Sequence, residues 1–346
     1  MKKKSIYILC PQLSGRGGME SIIGIVANQL KKDNYHVTVY IDNTPRYCEW
    51  VKELKSKNVN VICGNKFLRT FIFYYLFIFG SQQKIFIVAG TSRFASTGIK
   101  LRKILRKKWK MYYWLHFSLK HNMNYKYLSK VDGILTISSA IAKQLRDIGV
   151  NEEKINLVYN PFILNNSRIE SLPEKRRHFV YIGRLEEKQK NVSELLKAIG
   201  HTENIYLDVF GDGPDMKKYK QLSKKLGIDQ RVYWHGWKKH VWKAIDFQPE
   251  ALVLPSNFEG FPMILLEAMG KGIPCITSDF LGYKDIIQDH INGEHYDLGN
   301  EYQLSKLLKS FDRNNYSRKA IINSIDRYNA SEYFKKFYSA IDIQNY

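Results

Sequence analysis

The sequence predicts an α/β chain built as two parallel-sheet domains, and three observations carry that expectation. A strand, Gly-rich turn, helix, strand pattern opens the chain and restarts near Phe179. The strand-like segments are short apolar runs separated by stretches of helical periodicity. The length of 346 residues exceeds what most single cores hold and suits two domains of ordinary size. The boundaries read as 1–165 for a first domain and 166–327 for a second, with the polar run Asn165 to Arg177 as linker and a helix over about 328–346 returning to the first domain.

In order, Ser5 to Cys10 is strand-like, Ser14-Gly15-Arg16-Gly17-Gly18-Met19-Glu20 a Gly-rich turn, and Ile22, Ile23, Val26 and Leu30 fall at helical spacing before the strand His36 to Ile41. Glycines in such a turn let backbone N–H groups approach a phosphate at a helix N-terminus. The spacing is neither the dinucleotide fingerprint nor a P-loop. Phe67 to Phe79 reads as an aromatic helix, packed on the sheet or lying shallowly in a membrane interface; thirteen residues fall short of the roughly 20 that span a bilayer. Gly98 to Lys110 reads as a basic amphipathic helix with Ile99, Leu101, Ile104, Leu105 and Trp109 on one face. Met111 to Phe117 is a buried strand ending at His116, where a parallel sheet offers side chains to its ligand crevice. Gly133 to Ile137 is the next strand, and Ser138-Ser139 a cap for the helix over Ala140 to Leu145.

Charge is unevenly spread. Residues 1–165 hold 27 Lys and Arg against 9 Asp and Glu, and Leu54 to Val131 holds 16 basic residues and no acid; the rest of the chain is close to balanced. A first domain of that kind faces something anionic, and charge alone leaves nucleic acid and an anionic membrane both open. Cys10, Cys48, Cys63 and Cys275 are scattered without metal-ligand spacing, as in a reduced cytosolic protein. The N-terminal basic residues precede only a short apolar run, which reads as a strand rather than a signal peptide.

The second half repeats the pattern. Phe179 to Ile182 is a strand running into Gly183-Arg184-Leu185 and Lys188-Gln189-Lys190-Asn191, then a helix through Val192, Leu195, Leu196 and Ile199. Tyr206 to Phe210 leads to Gly211-Asp212-Gly213-Pro214, and Val232 to His235 to Gly236-Trp237. The densest stretch is Leu252 to Thr277: a strand, an acidic turn with Glu259, a helix start at Gly260-Phe261-Pro262, and a helix bearing Met263, Ile264 and Glu267, closed by Gly270 and Gly272. Pro262 fits the first helical turn, where its missing N–H costs nothing. A helix N-terminus favours a phosphate, and carboxylates accept hydrogen bonds from sugar hydroxyls.

These segments together resemble retaining glycosyltransferase family four, of the GT-B fold: Gly-Gly-x-Glu at Gly17 to Glu20, His116, Asn160-Pro161, Gly-Arg-Leu…Lys from Gly183, Gly-x-Gly-Pro at Gly211 to Pro214, and Glu-x7-Glu from Glu259 to Glu267. Gln-Lys-Asn-Val, His-Gly-Trp and Glu-Gly-Phe-Pro-Met-Ile-Leu-Leu-Glu-Ala-Met are similar more narrowly to bacterial lipopolysaccharide core 1,6-galactosyltransferases. The resemblance implies two Rossmann-like domains facing each other across a cleft. It implies transfer, with retention, of a hexose from a nucleotide-sugar such as UDP-galactose or UDP-glucose to a hydroxyl of a cell-surface glycan or lipid-linked saccharide. Residue by residue, Glu259 and His116 contact the donor sugar and Arg184 with Lys190, or alternatively Lys188, grips the diphosphate. Gly17, Gly18, Glu20, Gly260, Phe261, Pro262, Met263 and Ile264 border the phosphates, Trp237 the base and Glu267 the ribose. No cofactor or divalent metal is expected, since no Asp-x-Asp motif is placed to hold the diphosphate. The expected partners are the donor, the glycan acceptor and an anionic membrane at the cytoplasmic face, without nucleic acid. The alternatives are a UDP-sugar epimerase of the same fold and a non-catalytic polyanion-binding protein.

Overall fold

In the computed structural model, residues 4–79, 83–119, 125–164 and 176–343 are described. The linker expected over Asn165 to Arg177 lies almost wholly outside them. The chain divides into two compact units: residues 1–161 with 330–346, and residues 162–329.

Unit 1 runs β1 (Ser5–Cys10), α1 (Gly18–Lys32), β2 (His36–Ile41), α2 (Glu49–Ser56), β3 (Asn60–Ile62), α3 (Lys66–Ile78), β4 (Lys84–Ala89), α4 (Ser92–Ile104), β5 (Lys110–Leu115), β6 (Gly133–Thr136), α5 (Ser139–Asp147) and β7 (Ile155–Leu157). Its seven strands pair in parallel in the order β3-β2-β1-β4-β5-β6-β7. The central strands are apolar along their length because helices cover both faces; Ile6, Ile8, Phe86, Ile87 and Trp114 are wholly buried.

Unit 2 runs β8 (Arg177–Ile182), α6 (Glu187–Lys190), α7 (Val192–Gly200), β9 (Ile205–Phe210), α8 (Met216–Lys225), β10 (Val232–Gly236), β11 (Leu252–Leu254), α9 (Met263–Gly270), β12 (Cys275–Ser278), β13 (Gly293–Tyr296), α10 (Glu301–Ser310) and α11 (Arg318–Asn323). Its parallel sheet has the order β10-β9-β8-β11-β12-β13.

A last helix, α12 (Ala330–Ala340), belongs to unit 1. Tyr333 and Phe337 are buried in that unit, Phe337 with its ring 6.1 Å from Trp114. Just beyond it, Asp342 takes hydrogen bonds from Lys110 Nζ at 2.9 Å and Tyr112 Oη at 3.0 Å.

One expectation needs correction. The helix read over Gly98 to Lys110 is instead α4, which begins six residues earlier and ends at Ile104. Arg106 takes a left-handed conformation at φ 48°, and Trp109 enters the core between Phe77 and Phe86, with centroids 5.6 Å from each. Burial of that indole outweighs the helical periodicity around it. Gly98 lies inside the helix at a close crossing, where a Cβ would meet Met111 Cε at 2.1 Å. For α3, where packing on the sheet and a shallow interfacial position were both open, the helix packs through one face only. Phe73, Leu76 and Phe77 are buried, while Phe67, Leu68, Phe71, Tyr74 and Tyr75 are exposed.

Candidate active site

In unit 2 the strand order reverses direction between β8 and β11, which lie side by side at the centre. Loops leaving two such strands diverge, and open α/β sheets bind ligands in the space this creates. The loop after β8 carries Arg184 into α6; the loop after β11 carries Glu259 into α9.

Backbone and side chains tie the two loops together. Asn257 N–H donates to the Gln189 carbonyl at 2.8 Å, and Asn257 Nδ2 to the Lys188 carbonyl at 3.1 Å. Lys190 Nζ reaches Glu259 Oε1 at 2.5 Å, with the two side chains 15% and 7% exposed. Ser256 Oγ donates to the same oxygen at 2.7 Å, and Gln189 Nε2 approaches the other at 3.4 Å. A carboxylate this buried depends on its cation and donors together, and losing one partner leaves the other uncompensated. Lys190, rather than the exposed Lys188, is the lysine brought to Glu259. Asn191 ends α6 at φ 48°, a left-handed turn that Asn tolerates better than most residues.

Arg184 sits apart from that pair. Its side chain is 57% exposed and lies 3.6 Å from Glu186, a surface contact that holds a guanidinium only weakly. The glycines near it are structural. At Gly211, φ is +152° and a Cβ would lie 1.8 Å from the Gly183 carbonyl oxygen, so the turns after β8 and β9 approach backbone to backbone.

Helix α9 begins at Pro262 without a side-chain cap. The first N–H groups of a helix have no intrahelical partner, which leaves those of Met263 and Ile264 suited to an anion. Phe261 is an anchor, nearly buried with its ring edge-on to Tyr328 at 5.2 Å. Along the helix, Glu267 Oε2 accepts from Trp242 Nε1 at 2.8 Å. Burial holds the Glu267 carboxyl above its ordinary range, against the opposing pull of Trp242 and Lys271. Trp237, beyond β10, is half exposed.

In unit 1 the β1–α1 turn places its glycines unequally. Gly15 has φ +93°, and a Cβ there would fall 1.9 Å from the Tyr47 carbonyl oxygen, so the fold itself requires glycine. Gly17 is extended and starts α1 without a side-chain cap, and a Cβ on Gly18 would meet open space. Glu20 is turned into its own loop, where Oε1 accepts from Gly15 N–H at 2.9 Å and Ser14 Oγ at 3.0 Å. His116 follows β5, 5% exposed, with its ring 4.5 Å from Trp114. Burial pushes its pKa down to about 3, so the imidazole is neutral near pH 7. Among the described residues its buried Nε2 has no hydrogen-bond partner.

Sequence reasoning did not single out Ser256, Asn257 or Trp242. It also missed Asp208, whose Oδ2 lies 2.6 Å from His178 Nδ1 and whose Oδ1 lies 2.6 Å from His235 Nε2. Burial alone would raise that carboxyl; the two imidazoles outweigh it and hold the group below its ordinary value.

Residues 163–327 match the family Glycosyl transferases group 1, and residues 16–165 match Glycosyltransferase Family 4. The chain is 34% identical to a lipopolysaccharide 1,6-galactosyltransferase of Salmonella typhimurium, over 95% of this chain and 96% of that protein. It is 38% identical to a lipopolysaccharide 1,6-galactosyltransferase of Escherichia coli over 66% of each. Among solved structures it superposes on the apo form of the lipopolysaccharide outer core galactosyltransferase WaaB with a TM-score of 0.83 and 31% identity, covering 98% of this chain and 99% of that one. Anabaena Alr3699/HepE, solved with UDP, superposes at 0.81 with 15% identity over 98% and 99% of the two chains, a likeness of fold.

Proposed function

The chain belongs to glycosyltransferase family four and is a retaining hexosyltransferase of the GT-B fold; on that premise we propose that its donor is a UDP-hexose and its acceptor a hydroxyl of a lipopolysaccharide core saccharide. The observation that carries this reading is the buried Lys190–Glu259 pair at the β8/β11 reversal, beside the uncapped start of α9. It combines, within one unit, a cation, a hydroxyl-accepting carboxylate and free N–H donors, the three groups a sugar diphosphate needs.

When the bond from the sugar's anomeric carbon to the diphosphate breaks, negative charge grows on the leaving phosphate. Lys190, Arg184 and the N–H groups of Met263 and Ile264 are assigned to meet that charge, and groups fixed before the reaction do so without reorganising. The acceptor oxygen bonds to the anomeric carbon on the face the diphosphate leaves, and its proton passes to the departing phosphate oxygen. This scheme supplies the retention of configuration and needs no divalent ion. Glu259 is assigned hydroxyls of the transferred sugar, His116 a further contact to that sugar through its neutral ring, and Glu267 the ribose. Gly18 opens onto free space at the start of α1 and is assigned with Gly17 to border the phosphates, while the Glu20 carboxylate packs against Gly17 and shapes the turn. The half-exposed Trp237 is assigned to the base.

The acceptor is assigned to the cytoplasmic face of a membrane, and the acid-free basic stretch from Leu54 to Val131 supports an electrostatic hold on anionic lipid there. No described helix is long and apolar enough to cross a membrane.

Mass spectrometry of products from UDP- and GDP-sugars, with and without a core saccharide acceptor, tests the whole reading. A hexose added to the acceptor from one UDP-sugar is expected. A new UDP-sugar formed without acceptor would make the enzyme an epimerase, and polyanion binding without any turnover would make it a binding protein. Glu259→Ala is expected to lower turnover by losing sugar hydrogen bonds, each worth roughly 1–3 kcal/mol with an ionised partner; unchanged kcat would remove Glu259 from the site. Trp242→Phe frees Glu267 from its indole donor. UDP affinity by calorimetry is expected to fall about three- to tenfold, the worth of one net hydrogen bond, with kcat little changed. A fall in kcat at constant affinity would take Glu267 away from the nucleotide.

A further inference from the structure

Helix α3 carries an apolar face that the described residues leave exposed. Asn65 caps it, accepting from the Phe67 N–H at 2.9 Å, so it is a fixed helix rather than a frayed segment. Its core contacts come from Phe73, Leu76 and Phe77, with the Phe77 ring stacked on Phe86 at 4.4 Å. At 100° per residue, Phe67, Leu68, Phe71, Tyr74 and Tyr75 fall within one arc of roughly a third of the circumference. They are 86%, 61%, 68%, 43% and 50% exposed. A contiguous exposed face of one leucine and four aromatic rings is uncommon in a soluble monomer and marks an interaction surface.

The charge around that face chooses the partner. Beside the C-terminal end of α3, Lys84 Nζ donates to the carbonyl of Leu76 at 2.6 Å and to that of Phe79. Lys107 lies close enough to depress the ammonium further, after burial has lowered it. Trp109, buried against Phe77, is flanked by exposed Lys108 and Lys110, and α4 beside it exposes Lys100 and Lys103. The whole stretch from Leu54 to Val131 is without an acid. An apolar protein groove would not need this surplus of cations, whereas an anionic bilayer meets rings with its acyl boundary and lysines with its headgroups.

We propose that α3 is a membrane-inserting element, seating Phe67, Leu68, Phe71, Tyr74 and Tyr75 in the headgroup and acyl boundary of an anionic bilayer with the helix parallel to the surface. At about 1.5 Å per residue α3 is about 20 Å long, enough to lie in the interface and too short to cross. The inference rests on the electrostatic membrane reading above and adds an apolar anchor that charge alone does not provide.

The test uses the full chain in sedimentation with vesicles of phosphatidylglycerol and phosphatidylcholine in equal parts, and with phosphatidylcholine alone. The wild type is compared with Phe67→Glu/Phe71→Glu, whose transferase activity on a soluble acceptor and melting temperature serve as folding controls. Binding to the anionic vesicles is expected to fall at least about tenfold in the variant, and wild-type binding to persist in part at 1 M NaCl. Equal binding of both proteins, abolished by salt, would overturn insertion and leave the electrostatic hold intact. Absence of wild-type binding to any vesicle would overturn both. A wild-type dimer in solution that the variant converts to monomer, with vesicle binding unchanged, would assign the face to a second copy of the chain and overturn the proposal.

Discussion

Lys190→Met is expected to lower kcat by about 10²- to 10³-fold, the scale seen when one fixed donor to a developing oxyanion is lost. It is also expected to destabilise the protein by roughly 3–5 kcal/mol, because Glu259 would remain buried without its cation. These two losses have separate causes and separate remedies. Adding Glu259→Gln removes the stranded charge and leaves Ser256 and Gln189 to satisfy the amide, so most of the stability should return in a denaturant titration while turnover does not. The interaction term of that double-mutant cycle isolates the pair. Turnover surviving in Lys190→Met would place the catalytic cation elsewhere, with Arg184 the next candidate. Stability surviving in it would mean that water reaches the carboxylate freely.

The largest structural effect is expected at Gly211→Ala. Its φ of +152° is closed to residues with a Cβ, and the new methyl would be driven to 1.8 Å from the Gly183 carbonyl oxygen. Backbone strain of this kind costs roughly 1–3 kcal/mol before any clash, and the clash is with main chain that cannot rotate away. A fall in the denaturation midpoint well beyond that of Gly227→Ala is the expected result. Gly227 also has positive φ, at +68°, but faces open space, so its substitution costs about 1 kcal/mol. Equal losses in the two variants would show that the β8 and β9 turns have room to part.

Much of this was legible in the sequence because the signals are local. Apolar runs of strand length, the Gly-rich turns and the Pro-initiated α9 each announce themselves within a dozen residues, and Glu259 and Glu267 are fixed by the turn and helix that bear them. Lys190 was separable from Lys188 only in three dimensions, since the choice depends on which ammonium reaches a carboxylate 69 residues away. Trp242 escaped notice because its contact to Glu267 runs from a short 3₁₀ turn in an irregular segment, where no periodicity points inward. Asp208 looked like any polar residue in a strand until β8 and β10 brought an imidazole to each oxygen. The misplaced helix over Gly98 to Lys110 had the right pattern, but a buried Trp109 decided the boundary. In α3 the composition left core packing and an interfacial face both open, and only the geometry separates the three side chains that enter the core from the five that do not.

Unit 1 is discontinuous along the chain, with all of unit 2 inserted between Pro161 and Ala330. During synthesis, unit 2 is therefore complete before the residues that finish the core of unit 1 have been made. Phe337 takes a position beside Trp114 that has no such neighbour until then, and Tyr333 stacks on Phe337 in turn. A first unit made without α12 would therefore lack the ring that covers Trp114 from that side.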